Sequence, residues 1–368
     1  MDWKDLFEKM AVWPMPMKKD WKIASVGAGD IVNKCHQAAY QKAGFHTVAI
    51  SSRSRERAER VAKRFEIPLV YTDWSKMLEN PEIEVVDIAL PPHVQIEVVK
   101  KCCEQNQHIR GILCQKPAAM SAREAQQMRR MCEEAGITVA VNHNMRYDQS
   151  MRSLKFALDQ GLFGETVLAT IEMRARSEWQ RFYEEYNMLE IFNMGIHHID
   201  AARFLFGTPN KINAICKPNP SVNFPHSDGI SQYNLLYKNG LIVSVLDDDF
   251  AGPKPQTGCE QDIYIRWRVE GTEGMAEGTI GWPFFPKLIP STFRITSKLA
   301  GEGWIEPKWE TTWFPDAFAG TMADLLIALE DEREPGIPMA DSVMTLECVE
   351  ACYRSIREER TVAIAEGR

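Results

Sequence analysis

The chain has 368 residues, 45% hydrophobic and 26% charged, enough for a sizeable core and for two domains of ordinary size. No apolar run approaches the roughly 20 residues that span a bilayer, and the first residues (Asp2, Lys4, Asp5, Glu8) lack the charge-then-apolar order of a signal peptide, which argues against membrane insertion and export and for a cytoplasmic protein. The formal net charge of -8 argues against an extended nucleic-acid surface, which is built from Lys and Arg. Nine scattered cysteines without paired C-x-x-C spacing read as reduced core residues. Cys348 and Cys352 share a helix face but lack a third ligand nearby, so no metal site is expected.

In chain order, residues 1–20 carry Trp3, Trp13, Pro14 and Pro16, too aromatic for a flexible tail and too broken by proline for one long helix, and read as an arm packed on the body. Ile23 to Val26 reads as a strand entering the turn Gly27-Ala28-Gly29, followed by a helix from Ile31 to Ala43 and a second strand from Thr47 to Ile50. Glycines at such a turn let the backbone approach a pyrophosphate whose charge rests on free N–H groups at a helix start. The third small residue of G-x-G-x-x-G is missing, since Val32 stands there, which suggests looser packing of helix on sheet.

The alternation continues with helix 55–65, strand 85–90, helix 94–105, strand 112–114, helix 122–134 and strand 138–141. That pattern implies a doubly wound parallel sheet covered on both faces. The turns Leu90-Pro91-Pro92-His93 and Gln115-Lys116-Pro117 end two of its strands and should face a cofactor crevice. After residue 150 the period changes to two (Val167, Ala169, Ile171, Met173; Ile263, Ile265, Trp267, Val269), with an Asn239-Gly240 hairpin and a second reversal across Glu270 to Ala276. An antiparallel sheet follows, and helices 317–330 and 342–358 close the chain. Asp247-Asp248-Asp249 reads as a polar turn at a strand end.

Three places could carry chemistry. After the second strand, Ser52-Arg53 with Arg55 and Arg57 stands where an NAD site would place an acid; a hydroxyl followed by arginines suits a 2'-phosphate, which favours NADP over NAD. Lys116, at a strand end, could exchange protons near neutrality if burial lowers its proton affinity. Asn193-Met194-Gly195-Ile196-His197-His198-Ile199-Asp200 puts His197 and Asp200 on one helix face, with Gly195 allowing a close approach.

Together, Gly27-Ala28-Gly29, Gln115-Lys116-Pro117, Asn144-Met145-Arg146-Tyr147-Asp148 and Gly195 to Asp200 resemble the Gfo/Idh/MocA oxidoreductases from Lys22 to Ile364. After the arm (1–20), the resemblance implies a Rossmann dinucleotide-binding domain (21–145) and a C-terminal α/β domain (146–368). The latter would carry an open, mainly antiparallel sheet for substrate binding and oligomerisation, its last helices packing back toward the first domain. It implies a secondary hydroxyl of a sugar, glycoside or cyclitol as substrate and a homodimer or homotetramer. His197 would be the base, with Asn193 beside it, and Lys116 would hydrogen-bond the same oxygen. NADP or NAD would lie along Gly27, Gly29, Asp30, Ile31, Ser52, Arg53 and Arg57, then Leu90, Pro91, His93, Gln95, Gln115, Lys116 and Asn144. Substrate contacts would come from Lys116, Arg146, Arg174, Arg176, Trp179, Asn193 and His197, with Tyr147 there or in the packing. Gln115 and Asn193 replace the acids usual in the motifs, which lowers the expected proton affinity of Lys116 and His197. Two alternatives stay open: a tightly bound cofactor serving transient oxidation during glycoside elimination or hydrolysis, and a ligand-sensing regulator.

Overall fold

The computed structural model describes residues 2–176, 181–253 and 263–364, and the chain divides into two compact units. The first comprises Trp13–Tyr147 and Phe314–Val343; the second comprises Met1–Val12, Asp148–Trp313 and Met344–Arg368.

The first unit is built on a six-stranded parallel sheet of β1 (Ile23–Val26), β2 (Thr47–Ser51), β3 (Leu69–Tyr71), β4 (Val85–Ile88), β5 (Gly111–Gln115) and β6 (Thr138–Asn142), in the order β3-β2-β1-β4-β5-β6. Every residue of β1 and β4 is buried, as a parallel sheet with both faces covered requires. Helix Arg55–Phe65 buries Ala58, Val61 and Ala62, and Ser54 caps it by accepting the Arg57 N–H at 3.3 Å. Helix Ala122–Ala135 starts on Ser121, whose hydroxyl accepts the Glu124 N–H at 3.1 Å. Helix Ala317–Glu330 is apolar nearly all round because β5 and β6 lie against it. Its Glu330 carboxylate accepts the Met17 and Lys18 N–H groups at 3.0 and 2.8 Å, which fastens the approach to β1. Strand order reverses between β1 and β4, so the carboxyl ends of those strands flank the crevice where ligands of such sheets bind.

The helix after β1 is not uniformly α: residues Val32–His36 are wound as a π segment before the α-helix Gln37–Ala43. Val32 does not loosen the packing. It is fully buried in one cluster with Ala28, Ile50, Ala58, Val61, Ala62 and Ile67, because a branched apolar side chain fills the space a glycine would leave.

The second unit is a nine-stranded sheet of β7 (Thr166–Arg174), β8 (Lys211–Lys217), β9 (Ile230–Leu236), β10 (Ile242–Asp248), β11 (Tyr264–Gly271), β12 (Gly274–Ile280), β13 (Thr292–Ser297), β14 (Gly301–Ile305) and β15 (Val362–Ala363). Its order is β14-β13-β12-β11-β7-β10-β9-β8-β15, antiparallel throughout except for the β7–β10 pair. Both expected reversals are present, at 237–241 between β9 and β10 and at 272–273 between β11 and β12. The first residues form a helix, Trp3–Lys9, whose Phe7 is buried against Phe156 and Phe293 at ring distances of 5.7 and 5.0 Å. Arg152 donates to Met10 O at 2.7 Å. The outward side chains of β7, β11, β12 and β13 form an ion-pair lattice in which Glu277 meets Arg268 and Arg294, both at 2.7 Å, around a cavity of about 420 Å³.

The acids at 247–249 are not a solvated turn. Asp247 and Asp248 end β10, and all three are buried, because each finds polar partners within the unit. Six cysteines are buried and Cys103 and Cys216 partly so; Cys259 lies outside the described residues. Among the described residues no helix is long and apolar enough to cross a membrane, and no three His, Cys, Asp or Glu side chains are grouped to hold a metal.

Candidate functional site

In the first unit the carboxyl ends of β1, β2 and β4 are tied together at the glycine turn. Gly27 N–H donates to Ser51 O and Ala89 N–H donates to Val26 O, both at 2.9 Å. Gly27 takes a φ of 123°, and a Cβ there would lie 2.6 Å from Ala89 O, so glycine is required on two counts. Gly29 has open space where its Cβ would stand, beside the helix start at Asp30 and Ile31. That cradle of bare backbone ahead of a long helix fits a pyrophosphate. Asp30 is exposed and 3.6 Å from Lys34.

Beyond β2, Ser52 Oγ accepts the Ser54 N–H at 3.3 Å, Arg53 and Arg57 are exposed, and Arg55 pairs with Glu59 at 3.2 Å. The group that would meet a 2'-substituent is thus one hydroxyl and two outward arginines, with Arg55 turned to its own helix. After β4, Leu90 and Pro91 are half-buried and His93 is exposed on the first turn of helix Pro92–Glu104. Gln95 is fully buried; its Nε2 donates to Leu90 O (3.2 Å), Gln115 O (2.8 Å) and Pro117 O (2.9 Å). Its part at a cofactor is therefore to lash two loops together.

Lys116 follows β5, and its peptide bond to Pro117 is cis. Burial lowers its ammonium from 10.5 to about 7. Its N–H donates to Gln115 Oε1 at 2.8 Å, and Gln115 Nε2 lies 3.2 Å from His36 Nε2. Asn144 is buried in the short helical turn Asn144–Tyr147. Arg146, expected at a substrate, is buried with its guanidinium on the Asp341 carboxylate. An arginine so placed would leave a buried charge if it turned away, so it holds its turn. Tyr147 packs: a Cβ at Gly320 would lie 2.4 Å from its ring.

In the second unit Asn193 stands on a π segment, Ile191–Gly195, that runs directly into helix Ile196–Phe206. Asn193 is half-buried and His197, one turn later, is buried with its ring edge-on to Trp313 at 5.2 Å. Asp200 is buried and accepts the Thr345 hydroxyl at 3.1 Å. Arg174 is held by Glu172 at 3.0 Å, the Tyr264 hydroxyl at 2.9 Å and Asp248 at 3.3 Å, and the bonds to Glu172 and Tyr264 raise its already high pKa. Arg176 donates to Gly252 O. Trp179 lies outside the described residues.

The close approach at Gly195 is to a buried polar cluster that sequence reasoning missed. A Cβ there would lie 3.3 Å from the Tyr233 hydroxyl and 3.4 Å from both Asp247 Oδ2 and Glu190 Oε1. Tyr233 donates to Asp247 Oδ2 at 2.8 Å, and His198 Nδ1 lies 2.7 Å from Asp247 Oδ1. Burial, then Asp247, Asp228 and Asp249, push the Glu190 carboxyl well above the ordinary carboxylate range. His198 thus faces this cluster and not the surroundings of His197. The adjacent pair in the sequence was the available signal, since helix neighbours point about 100° apart and serve different surroundings.

Comparison with known proteins agrees with the fold of the two units. Residues 21–143 match the family model for the NAD-binding Rossmann fold of the GFO/IDH/MocA oxidoreductases, and residues 151–277 match that for their C-terminal domain. A D-apiose dehydrogenase of Paraburkholderia graminis is 25% identical over 94% of this chain and 90% of its own length. A scyllo-inositol 2-dehydrogenase (NADP(+)) of Bacillus subtilis is 23% identical over 86% and 88%. The crystal structure of an oxidoreductase from Agrobacterium radiobacter with NAD+, L-tartaric acid and magnesium superposes with a TM-score of 0.77 at 24% identity, covering 94% of this chain and 98% of that one. With both halves matched in order, the chain belongs to the Gfo/Idh/MocA family of NAD(P)-dependent oxidoreductases.

Proposed function

We propose that the protein moves a hydride between a secondary hydroxyl of a sugar, glycoside or cyclitol and a nicotinamide cofactor, with NADP preferred. The observation that carries the reading is Lys116: an amine held near pH 7 by burial, at the carboxyl end of β5 in a dinucleotide-type sheet. Lys116 donates a hydrogen bond to the substrate oxygen and eases the charge that develops there. His197, oriented with Asn193 on the π-to-α segment, takes the hydroxyl proton as base and returns it in the reverse direction. When bound, the nicotinamide supplies the acceptor for the hydride leaving the carbinol carbon. Gly27, Gly29 and the N–H groups of Asp30 and Ile31 would hold the pyrophosphate, Leu90, Pro91 and His93 would line the nicotinamide side, and Ser52, Arg53 and Arg57 would meet the 2'-group. The NADP preference is supported by that hydroxyl–arginine set and by the NADP specificity in the name of the Bacillus relative. The ion-paired outer face of the nine-stranded sheet supports a homodimer or homotetramer.

A panel of sugars, cyclitols and glycosides assayed with NAD and with NADP tests the reading by absorbance of the reduced nicotinamide. At least one sugar or cyclitol is expected to give net reduction, with NADP favoured. Turnover without net reduction, or binding of nucleotide without turnover, would overturn it.

A further inference from the structure

Behind Lys116 lies a chain of hydrogen bonds whose direction can be read atom by atom. The Lys116 N–H donates to Gln115 Oε1 at 2.8 Å, which orients that amide and turns its Nε2 toward His36 Nε2 at 3.2 Å. Asn142 is oriented in the same way: the Thr321 hydroxyl donates to its Oδ1 at 2.8 Å, and its Nδ2 faces the same imidazole nitrogen at 3.5 Å. A nitrogen met by two amide donors presents a lone pair. The imidazole proton is therefore on Nδ1, donated to Asp87 Oδ2 at 2.8 Å, where the Tyr40 hydroxyl also donates at 3.1 Å. His36, Asp87 and Asn142 are fully buried.

From this polarity we infer that His36 is a positioning residue for Lys116, acting through Gln115, and that the amide at position 115 is what lets His36 stay neutral. The inference rests on the reading of Lys116 as the group that meets the substrate oxygen.

The groups facing His36 are Asp87 from β4, Gln115 from β5, Asn142 from β6, Tyr40 from its own helix and the Phe318 ring at 4.9 Å from helix Ala317–Glu330. Burial and Asp87 push the Tyr40 hydroxyl and the nearby Cys114 thiol up, so neither adds charge at neutral pH. A carboxylate at position 115 would accept the Lys116 N–H through one oxygen and turn the other onto the His36 lone pair. Two acceptors facing each other in a buried space repel, and a proton taken up on His36 Nε2 relieves them. The added negative charge would then arrive with a positive one, leaving the net charge behind Lys116 as it was.

The test is nitrogen NMR of the free protein labelled at histidine, at neutral pH. The wild type is expected to show the His36 ring with its proton on Nδ1, a signal lost in His36→Gln, while the similarly bonded His226, whose Nε2 accepts the Asn219 N–H at 2.8 Å and whose Nδ1 faces Phe224 O at 2.7 Å, keeps its own. Gln115→Glu is expected to show the same ring doubly protonated, with the Lys116 limb of the rate profile moved by less than about half a pH unit, because the charges compensate. A His36 protonated on Nε2 in the wild type overturns the inference, and so does a neutral His36 in Gln115→Glu; the first result needs no variant. His36→Gln should lower kcat about tenfold with the cofactor Kd within about twofold. An unchanged kcat also overturns it. Wild-type turnover in Lys116→Met would instead overturn the functional reading, and with it the purpose of the chain, while the tautomer pattern would persist.

Discussion

Replacing Lys116 by Met separates the cost of holding an amine in this position from its chemical use. Its proton affinity falls from 10.5 in the unfolded chain to about 7 in the native one because burial disfavours the ammonium. Between those values the unfolded chain binds a proton that the native chain does not, so the stability of the wild type rises with pH across this window. The cost is fully present below about 7 and gone above 10.5. A drop of that size corresponds at most to about 5 kcal/mol, and because Lys116 keeps part of its surface in solvent, screening leaves about 2 kcal/mol. Lys116→Met should therefore be more stable than wild type by about 2 kcal/mol at pH 6, with the difference shrinking toward pH 10. Its kcat/KM should fall by about 10² to 10⁴. Urea unfolding of both proteins without cofactor, across that pH range, measures the first effect. A difference that does not change with pH would refute the argument that burial sets the proton affinity of Lys116.

Three further outcomes follow from the same geometry. Asn193→Asp restores a negative charge one turn from His197 and should move the acid limb of the rate profile up by about one pH unit; no movement would mean that Asn193 does not face the base. Ser52→Asp should reverse the proposed preference for NADP over NAD, read as the ratio of Kd values from nucleotide fluorescence, since a carboxylate repels a 2'-phosphate and accepts from a 2'-hydroxyl. Burial raises the Glu190 carboxyl above its unfolded value of 4.5, so its stability contribution declines as pH rises above 4.5. Glu190→Gln keeps the shape without that decline, so its Tm should exceed that of wild type by more at pH 8 than at pH 5.

Much of the fold was legible because period and capping are local. Helix 55–65 follows from Ser54 and the spacing of Ala58, Val61 and Ala62, helix 317–330 from its apolar run, and both hairpins from their turn residues. What escaped notice was set by partners far along the chain. The edge strand Leu69–Tyr71 and the four-residue helix Trp74–Met77 are too short to show a period. The helix Trp3–Lys9 was obscured by Pro14 and Pro16, which lie beyond its end. Neither π segment is written in a local pattern, and the parallel pairing of β7 with β10 is settled only across the sheet. Of the candidate site, Gly27, Lys116 and His197 could be read as motifs, whereas His36 and its Asp87 are 51 residues apart and each alone resembles an ordinary core polar residue. Arg146 and Gln95 show the converse: polar residues in a motif that the fold spends on its own loops.

The central claim is that hydride leaves the carbinol carbon for the cofactor while Lys116 and His197 manage the proton. The most direct measurement uses the best substrate of the panel deuterated at the reacting carbon, with the cofactor isolated after turnover and analysed by mass spectrometry and proton NMR. The account predicts one deuterium on C4 of the reduced nicotinamide and a slowed rate with the deuterated substrate. Deuterium retained in the product, or exchanged into water, would contradict it.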